Sequence, residues 1–228
     1  LESSGALDFF TSCFEGVVNP DIQSIDLEVK KYRVARGERR QARRVEAVFS
    51  KNQASLYARS VGGVCVASDG PEVVTGRRKR DLSFIFRNQS AGTQWELPNY
   101  FQLVLRDPES KRCEGVVLLH HYSDQGKRIL TASFNPSNTY LLKVSEKQLF
   151  EGIMEVLTDF AKRNHFDLVA CSKGRHIRTN RTGGEFEAAI DQRIASVGET
   201  FTLSRDEVFS YAPSYHQRAL DALWIRRA

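Results

Sequence analysis

The most regular pattern in the chain is an alternation of apolar and charged side chains near the N-terminus. From Ile25 to Val29 every second residue is apolar, and the charged residues Asp26, Glu28 and Lys30 stand between and after them. A period of two residues is typical of a β-strand with one buried face, because successive side chains of a strand point to opposite sides. The pattern therefore predicts a strand over about 24–34, with charged groups along its other face.

The remaining pattern predicts more strands and a few helices. Ser145 followed by Gln148 is the signature of a helix N-terminus, and apolar residues at helical spacing come after it. A second helix is predicted from about Gly184 to Val197, and an amphipathic helix fits Tyr215–Arg227. The other predicted strands are Val45–Phe49, Ser55–Ala67, Leu82–Phe86, Tyr100–Arg106, Gly115–Tyr122, Ile129–Phe134, Asp167–Cys171 and Phe201–Leu203.

A run of strands followed by a mixture of helices and strands is typical of the α+β class. We expect a mixed or antiparallel central sheet flanked by helices. The chain has 228 residues, of which 41% are hydrophobic, and it is long enough to bury a core as one domain over residues 1–228. The polar stretch near 88–97 is the candidate for a boundary within that domain.

Composition points to an anionic partner and to a reducing compartment. The formal net charge is +5 and the sequence pI is about 9.1, which favours association with polyanions. The four cysteines are far apart and form no CxxC pair, so free thiols are favoured over disulfides or a zinc site. No apolar run approaches the roughly 20 residues of a membrane span. We therefore expect a cytoplasmic protein that does not enter the membrane.

Basic residues are concentrated in three short segments: residues 36–44, residues 76–80 and the loop that precedes the helix near Gly184. Such segments are either solvated surface or contacts to phosphate groups. The third also offers backbone N–H groups at a helix start, where Thr182 and Glu185 have capping-box spacing. We expect nucleic acid as the partner. The candidate contact residues are Arg40, Arg44, Arg77, Arg78, Lys79, Arg175, Arg178 and Arg181.

The alternating stretch also carries a motif. Pro20-Asp21, followed by Glu28-Val29-Lys30, resembles the pattern of the PD-(D/E)xK nucleases, a superfamily that includes many restriction enzymes. The resemblance covers residues 20–30 and implies that Asp21 and Glu28 bind Mg²⁺ while Lys30 assists water attack on a DNA phosphodiester. The superfamily's additional helix glutamate has candidates in Glu2 and Glu15 and, in a permuted order, in Glu185 or Glu187. An exposed edge strand with alternating charges produces the same string without any catalytic role.

A non-enzymatic alternative rests on a different resemblance. Arg40 and Arg44, with Ser60 and Gly63 downstream, resemble the RxxxR and DxSxxG elements of PilZ receptors. That resemblance implies cyclic di-GMP binding, with the arginines holding the phosphates and guanine. Ala58 stands where the family has aspartate. A DNA-recognition domain without catalysis is the other binding alternative.

The order of elements in the second half resembles the GNAT acyltransferases. Strands through Phe134, a helix over 146–163, a strand over 167–171 and a helix after Asn180 follow that layout. Those enzymes hold the pyrophosphate of acyl-CoA in a glycine-rich loop between strand and helix. The corresponding segment here, Asn135–Lys143, contains no glycine, which argues against acyl-CoA binding.

Overall fold

The structure, a computed structural model, describes residues 23–27, 43–50, 100–109, 113–137, 141, 144–204 and 218–227. Eight strands of these ranges form one sheet, and helices pack against it. The elements are β1 (Gln23–Leu27), β2 (Arg43–Ser50), β3 (Tyr100–Arg106), β4 (Cys113–Asp124), β5 (Lys127–Pro136), α1 (Glu146–Arg163), β6 (Leu168–Ser172), α2 (Arg175–Arg178), α3 (Glu185–Val197), β7 (Thr200–Thr202) and β8 (Ala219–Ile225).

The sheet is mixed, with the strand order β1-β2-β3-β4-β5-β6-β8-β7. The strands from β1 to β5 pair with one another in antiparallel fashion. The pairs β6–β8 and β8–β7 are also antiparallel. β5 and β6 run parallel, and they pair only from Ile129 opposite Leu168 to Thr131 opposite Ala170. The α+β class and the mixed sheet predicted from the sequence are thus confirmed.

The helix α1 begins where the capping signature predicts. The Ser145 hydroxyl accepts the Gln148 N–H at 3.4 Å, which satisfies one of the N–H groups that lack a partner within the helix. The apolar stripe that follows is buried against the sheet, together with part of α3. The rings of Phe150 on α1 and Phe186 on α3 meet edge to face at 5.7 Å. Both long helices therefore contribute to one core on the same face of the sheet.

The helix predicted over Tyr215–Arg227 is wrong where the structure describes that segment. Residues 219–225 form β8, which lies between β6 and β7 and pairs with both. Apolar residues at 219 and 223 have helical spacing, but in the structure the segment pairs with β6 as a strand. Pairing with an existing strand satisfies its backbone groups, and this tertiary contact decides between the two structures.

The elements named for the acyltransferase layout are all present. A helix over Glu146–Arg163, a strand over Leu168–Ser172 and a helix over Glu185–Val197 follow β5 in that order.

The predicted strands Val45–Phe49, Tyr100–Arg106, Gly115–Tyr122 and Ile129–Phe134 correspond to β2, β3, β4 and β5. The strands predicted at Ser55–Ala67 and Leu82–Phe86 lie outside the described residues, as does the candidate boundary near 88–97. Among the helices of the described ranges, none is long and apolar enough to cross a bilayer.

Candidate functional site

All three residues of the predicted nuclease site lie outside the described residues. They are Asp21, Glu28 and Lys30. The part of the alternating stretch that is described, Gln23–Leu27, is a strand at one end of the described sheet. The strand predicted over about 24–34 is confirmed for its described part, residues 24–27, and the catalytic role stays a prediction. The basic candidates Arg40, Arg77, Arg78 and Lys79 also lie outside the described residues.

The first basic segment contains two of the predicted contacts, Arg40 and Arg44. Of these two, the structure describes Arg44. It lies on β2 and is exposed, and its backbone is opposite Asp26 of β1. The PilZ-like elements Arg40 and Ser60–Gly63 are not described. The cyclic di-GMP prediction is therefore neither supported nor opposed by Arg44 alone.

The arginine-rich loop before α3 is organised around the buried carboxylate of Glu187. Arg175 donates to it from both Nε and Nη2, at 2.7 and 2.9 Å. Arg178, whose side chain is only 6% exposed, donates from Nη2 to Asp191 at 2.5 Å and approaches Glu187 at 3.4 Å. The Gly183 N–H donates to the same carboxylate at 2.6 Å. Two of the three arginines predicted to bind an anion thus have carboxylate partners within the chain.

These contacts change the acidity of Glu187. The hydrogen bonds from Arg175 favour the charged form and outweigh the effect of burial, so the pKa of the carboxyl group falls from 4.5 to about 2. Arg181 is held differently, since its Nε donates to the Pro136 carbonyl at 2.8 Å. The loop therefore fixes its own geometry through Glu187 and Pro136, and the charges of Arg175 and Arg178 are largely balanced locally.

The capping box predicted from Thr182 and Glu185 is wrong. The N-cap of α3 is Gly184, and no side chain caps it from that position. Instead the carboxylate of Glu146, in the first turn of α1, accepts the Phe186 N–H at 2.9 Å. A side chain distant in sequence thus accepts a hydrogen bond from an N–H group at the start of the helix. The spacing of nearby residues in the sequence cannot reveal such a contact.

The residues at the carboxyl end of β5 do not fit the pyrophosphate of acyl-CoA. Beyond Thr131, β5 bonds to the segment that contains α2, since the Ser133 hydroxyl donates to the Ile177 carbonyl and the Asn180 N–H to the Phe134 carbonyl. The first turn of α1 carries the acidic Glu146. A phosphate site at a helix start needs free N–H groups and positive charge. In the first turn of α1 the Gln148 N–H already bonds to Ser145, and the charge of Lys147 is opposed by that of Glu146.

A different surface, which we call the basic groove, lies at the C-terminal ends of α1 and α3 and along β8. It is open to solvent and has a volume of about 610 Å³. Its walls carry four cationic side chains, one carboxylate, one indole ring and short apolar or polar residues. The lining residues are Lys162, Arg193, Ser196, Val197, Glu199, Leu223, Trp224, Ile225, Arg226 and Arg227.

The cations of the basic groove are held mainly by carbonyl groups rather than by carboxylates. Arg193 donates from Nε to the Leu223 carbonyl at 3.0 Å, and its Nη1 lies 3.8 Å from Glu151. Arg226 lies 3.5 Å from the Lys162 carbonyl through its Nη2. Within the described ranges, Lys162, Arg226 and Arg227 have no carboxylate at ion-pair distance. Their positive charge is therefore not matched by a carboxylate of the described residues.

The residues of the basic groove are not predicted as contacts from the sequence, and the reason is structural. They come from two helix ends and a strand, which are brought together only by the folded sheet. Trp224-Ile225-Arg226-Arg227 does show an aromatic residue beside two cations. In the amphipathic helix predicted over Tyr215–Arg227, however, these side chains would point in different directions.

The adjacent histidines face opposite sides of the sheet, as their positions on a strand predict. His120 stacks on Tyr122 at 6.3 Å between ring centroids, while His121 meets Phe166 at 6.4 Å. Tyr122 and Phe166 belong to different hydrophobic clusters. At most one histidine can therefore serve any one site.

Over the described part of the chain, no cluster of three or more histidine, cysteine or acidic side chains is arranged to hold a metal ion.

Comparison with known proteins adds no assignment. No family model matches the chain, and no curated protein matches it.

Proposed function

We propose that the chain is a nucleic-acid-binding domain whose contact surface is the basic groove. The observation that carries this proposal is the composition of that groove. Three of its cations, Lys162, Arg226 and Arg227, have no carboxylate partner among the described residues, and Trp224 lines the same groove. Arg175 and Arg178, by contrast, are paired with acids.

Phosphate is the chemistry that such a surface binds best. Guanidinium groups donate forked hydrogen bonds to phosphate oxygens, and a lysine ammonium adds a compact charge. Binding to a polyanion releases condensed counterions, so the affinity falls steeply as salt rises. Carbonyl groups hold Arg193 and Arg226 in place, which lowers the side-chain entropy lost on binding.

The finer part of the proposal is a Mg²⁺-dependent nuclease centre at Asp21, Glu28 and Lys30. Its support is the resemblance of residues 20–30 to the PD-(D/E)xK pattern. In that arrangement Asp21 and Glu28 would hold the ion, which would make a bound water more acidic, and Lys30 would position that water. Phosphates bound in the basic groove would keep the nucleic acid on the domain.

Cleavage of plasmid and single-stranded DNA with Mg²⁺ or Mn²⁺ tests this centre. We expect Glu28→Ala and Lys30→Ala each to lower the cleavage rate at least about 100-fold, because metal binding or water activation is lost. DNA binding is retained in both variants. The control is Glu155→Ala, since Glu155 is an exposed acid on α1, and it keeps the wild-type rate.

Two outcomes contradict the catalytic part while leaving the binding part standing. One is a wild-type chain that binds DNA in a salt-sensitive manner but does not cut it. The other is cutting that persists in both variants. A wild-type chain that neither binds nor cuts DNA contradicts the whole proposal.

The order of elements from β3 to β8 favours a second candidate, acyl transfer from coenzyme A. The residues at the start of α1 oppose it, as described above. Calorimetric titration with coenzyme A separates the two candidates. We expect any binding to be weak and to disappear in Arg226→Glu, because among the described residues the basic groove is the surface proposed to contact phosphate. Saturable binding that persists in Arg226→Glu would favour acyl transfer.

A further inference from the structure

We infer that the basic groove takes a single strand, with a base stacked on Trp224 and the backbone phosphates on the surrounding cations. This inference rests on the proposed function and names the class of nucleic acid that the groove accepts. Three features of the groove carry it: its size, the placement of its aromatic ring and the arrangement of its charges.

The size of the groove suits one or two nucleotides. Its volume of about 610 Å³ lies in the range of roughly 300–1,000 Å³ in which proteins enclose small ligands. A duplex presents only its phosphate backbone to a groove of this size, because its bases are stacked inside the helix. An unpaired base can enter the groove and reach the wall.

Trp224 is the residue that an entering base would meet. It is half-buried and packs against the main core, so the indole is fixed while part of it lines the groove. Aromatic side chains on such surfaces stack with any base, and this contact does not depend on sequence. Apolar residues on both sides of it, Leu223 and Ile225, line the same groove.

Four cations line the same groove as this ring. Arg226 and Arg227 follow Trp224 directly in sequence, while Lys162 and Arg193 come from the ends of α1 and α3. Arg226 also lies 3.2 Å from His165 Nδ1, which further restricts its position. Positive groups around an aromatic platform are the combination by which proteins bind single strands without sequence preference.

The test compares short labelled oligo(dT), oligo(U) and a DNA duplex by fluorescence anisotropy, using the full chain and two variants. Trp224→Leu should weaken binding of single strands about tenfold and leave duplex binding unchanged. Trp95→Leu is the matched control, because it removes the second of the two tryptophans in the chain, and it should leave both affinities unchanged. A preference for oligo(U) or for oligo(dT) supports the inference in either direction, since the two probes differ both in the sugar and in the methyl group of the base.

A second measurement needs no change at Trp224. In a Trp95→Phe chain the remaining emission comes from Trp224, and stacking of a base should quench it saturably with single strands but not with duplex. Equal affinities for single strands and duplex, with no loss in Trp224→Leu or no quenching, would overturn the inference and leave the proposed function intact. Absence of binding to all three probes would contradict the proposed function itself.

Discussion

Replacing Glu187 by glutamine lowers the free energy of unfolding by about 3 kcal/mol. The carboxylate is 2% exposed and receives Arg175, Arg178 and the Gly183 N–H. The NH₂ group of a glutamine cannot accept the hydrogen bonds that the carboxylate accepts from the arginines and from Gly183. The buried Arg178 would then keep Asp191 as its carboxylate partner. Removing one member of a buried pair typically costs about 3–5 kcal/mol. The lower end applies here, because Arg175 is 63% exposed and screened by water.

Urea unfolding at neutral pH measures this effect as a shift of the midpoint at constant slope. Glu155→Gln is the matched control, since Glu155 is an exposed acid on α1, and it should change the free energy by less than about 0.5 kcal/mol. Equal midpoints for Glu187→Gln and the wild type would contradict the role assigned to this carboxylate.

The same contacts predict a pH dependence. The pKa of Glu187 is about 2 in the folded chain and 4.5 ordinarily, so its contribution to stability is fully present above about pH 4.5. It is lost as the pH falls toward 2, because the carboxylate then takes up a proton in the folded state as well. The difference in stability between the wild type and Glu187→Gln should therefore shrink over this interval. A difference that is unchanged between pH 7 and pH 3 contradicts the assignment.

Reversing the charges of Arg226 and Arg227 together weakens nucleic-acid binding on the order of 100-fold at low ionic strength. Both side chains line the basic groove, and neither has a carboxylate partner among the described residues. Losing two phosphate contacts also lowers the slope of log affinity against log salt by about 1.4 for a single strand. Anisotropy titrations of Arg226→Glu/Arg227→Glu at several salt concentrations measure both quantities.

The helix α1 supplies a matched pair for this prediction. Lys147 and Lys162 are exposed lysines at its two ends, and Lys162 lines the groove. We expect Lys162→Glu to weaken binding and Lys147→Glu to leave it nearly unchanged, although both alter the net charge equally. Equal losses in the two variants would show a diffuse charge effect instead of a defined surface.

The sequence pattern predicts those elements whose structure is determined by residues close to them in the sequence. The alternation around Ile25 predicts β1, and Ser145 with Gln148 predicts the start of α1, because both signals lie within a few residues of the element. The segment at 219–225 has a pattern that fits either structure. Its pairing with β6 and β7 is a tertiary contact, and no local signal contains it.

The candidate site shows the same limit. The arginines before α3 are predicted from the sequence as nucleic-acid contacts, whereas in the structure the partners of Arg175 and Arg178 are Glu187 and Asp191. These pairs form because the chain reverses at Gly183, which has a φ of +79° that glycine adopts without strain. The basic groove combines α1, α3 and β8, and the strand was predicted as a helix. Composition predicts an anionic partner, whereas the surface that would bind it depends on the fold.

Photo-crosslinking maps the contact surface most directly. An oligonucleotide with iodinated pyrimidines is bound to the full chain, irradiated and digested, and the modified peptides are identified by mass spectrometry. Crosslinks at Trp224, reduced in Arg226→Glu/Arg227→Glu, are the result that the basic groove predicts. Crosslinks confined to residues 36–44, 76–80 or 173–187, with none at 219–227, would contradict it.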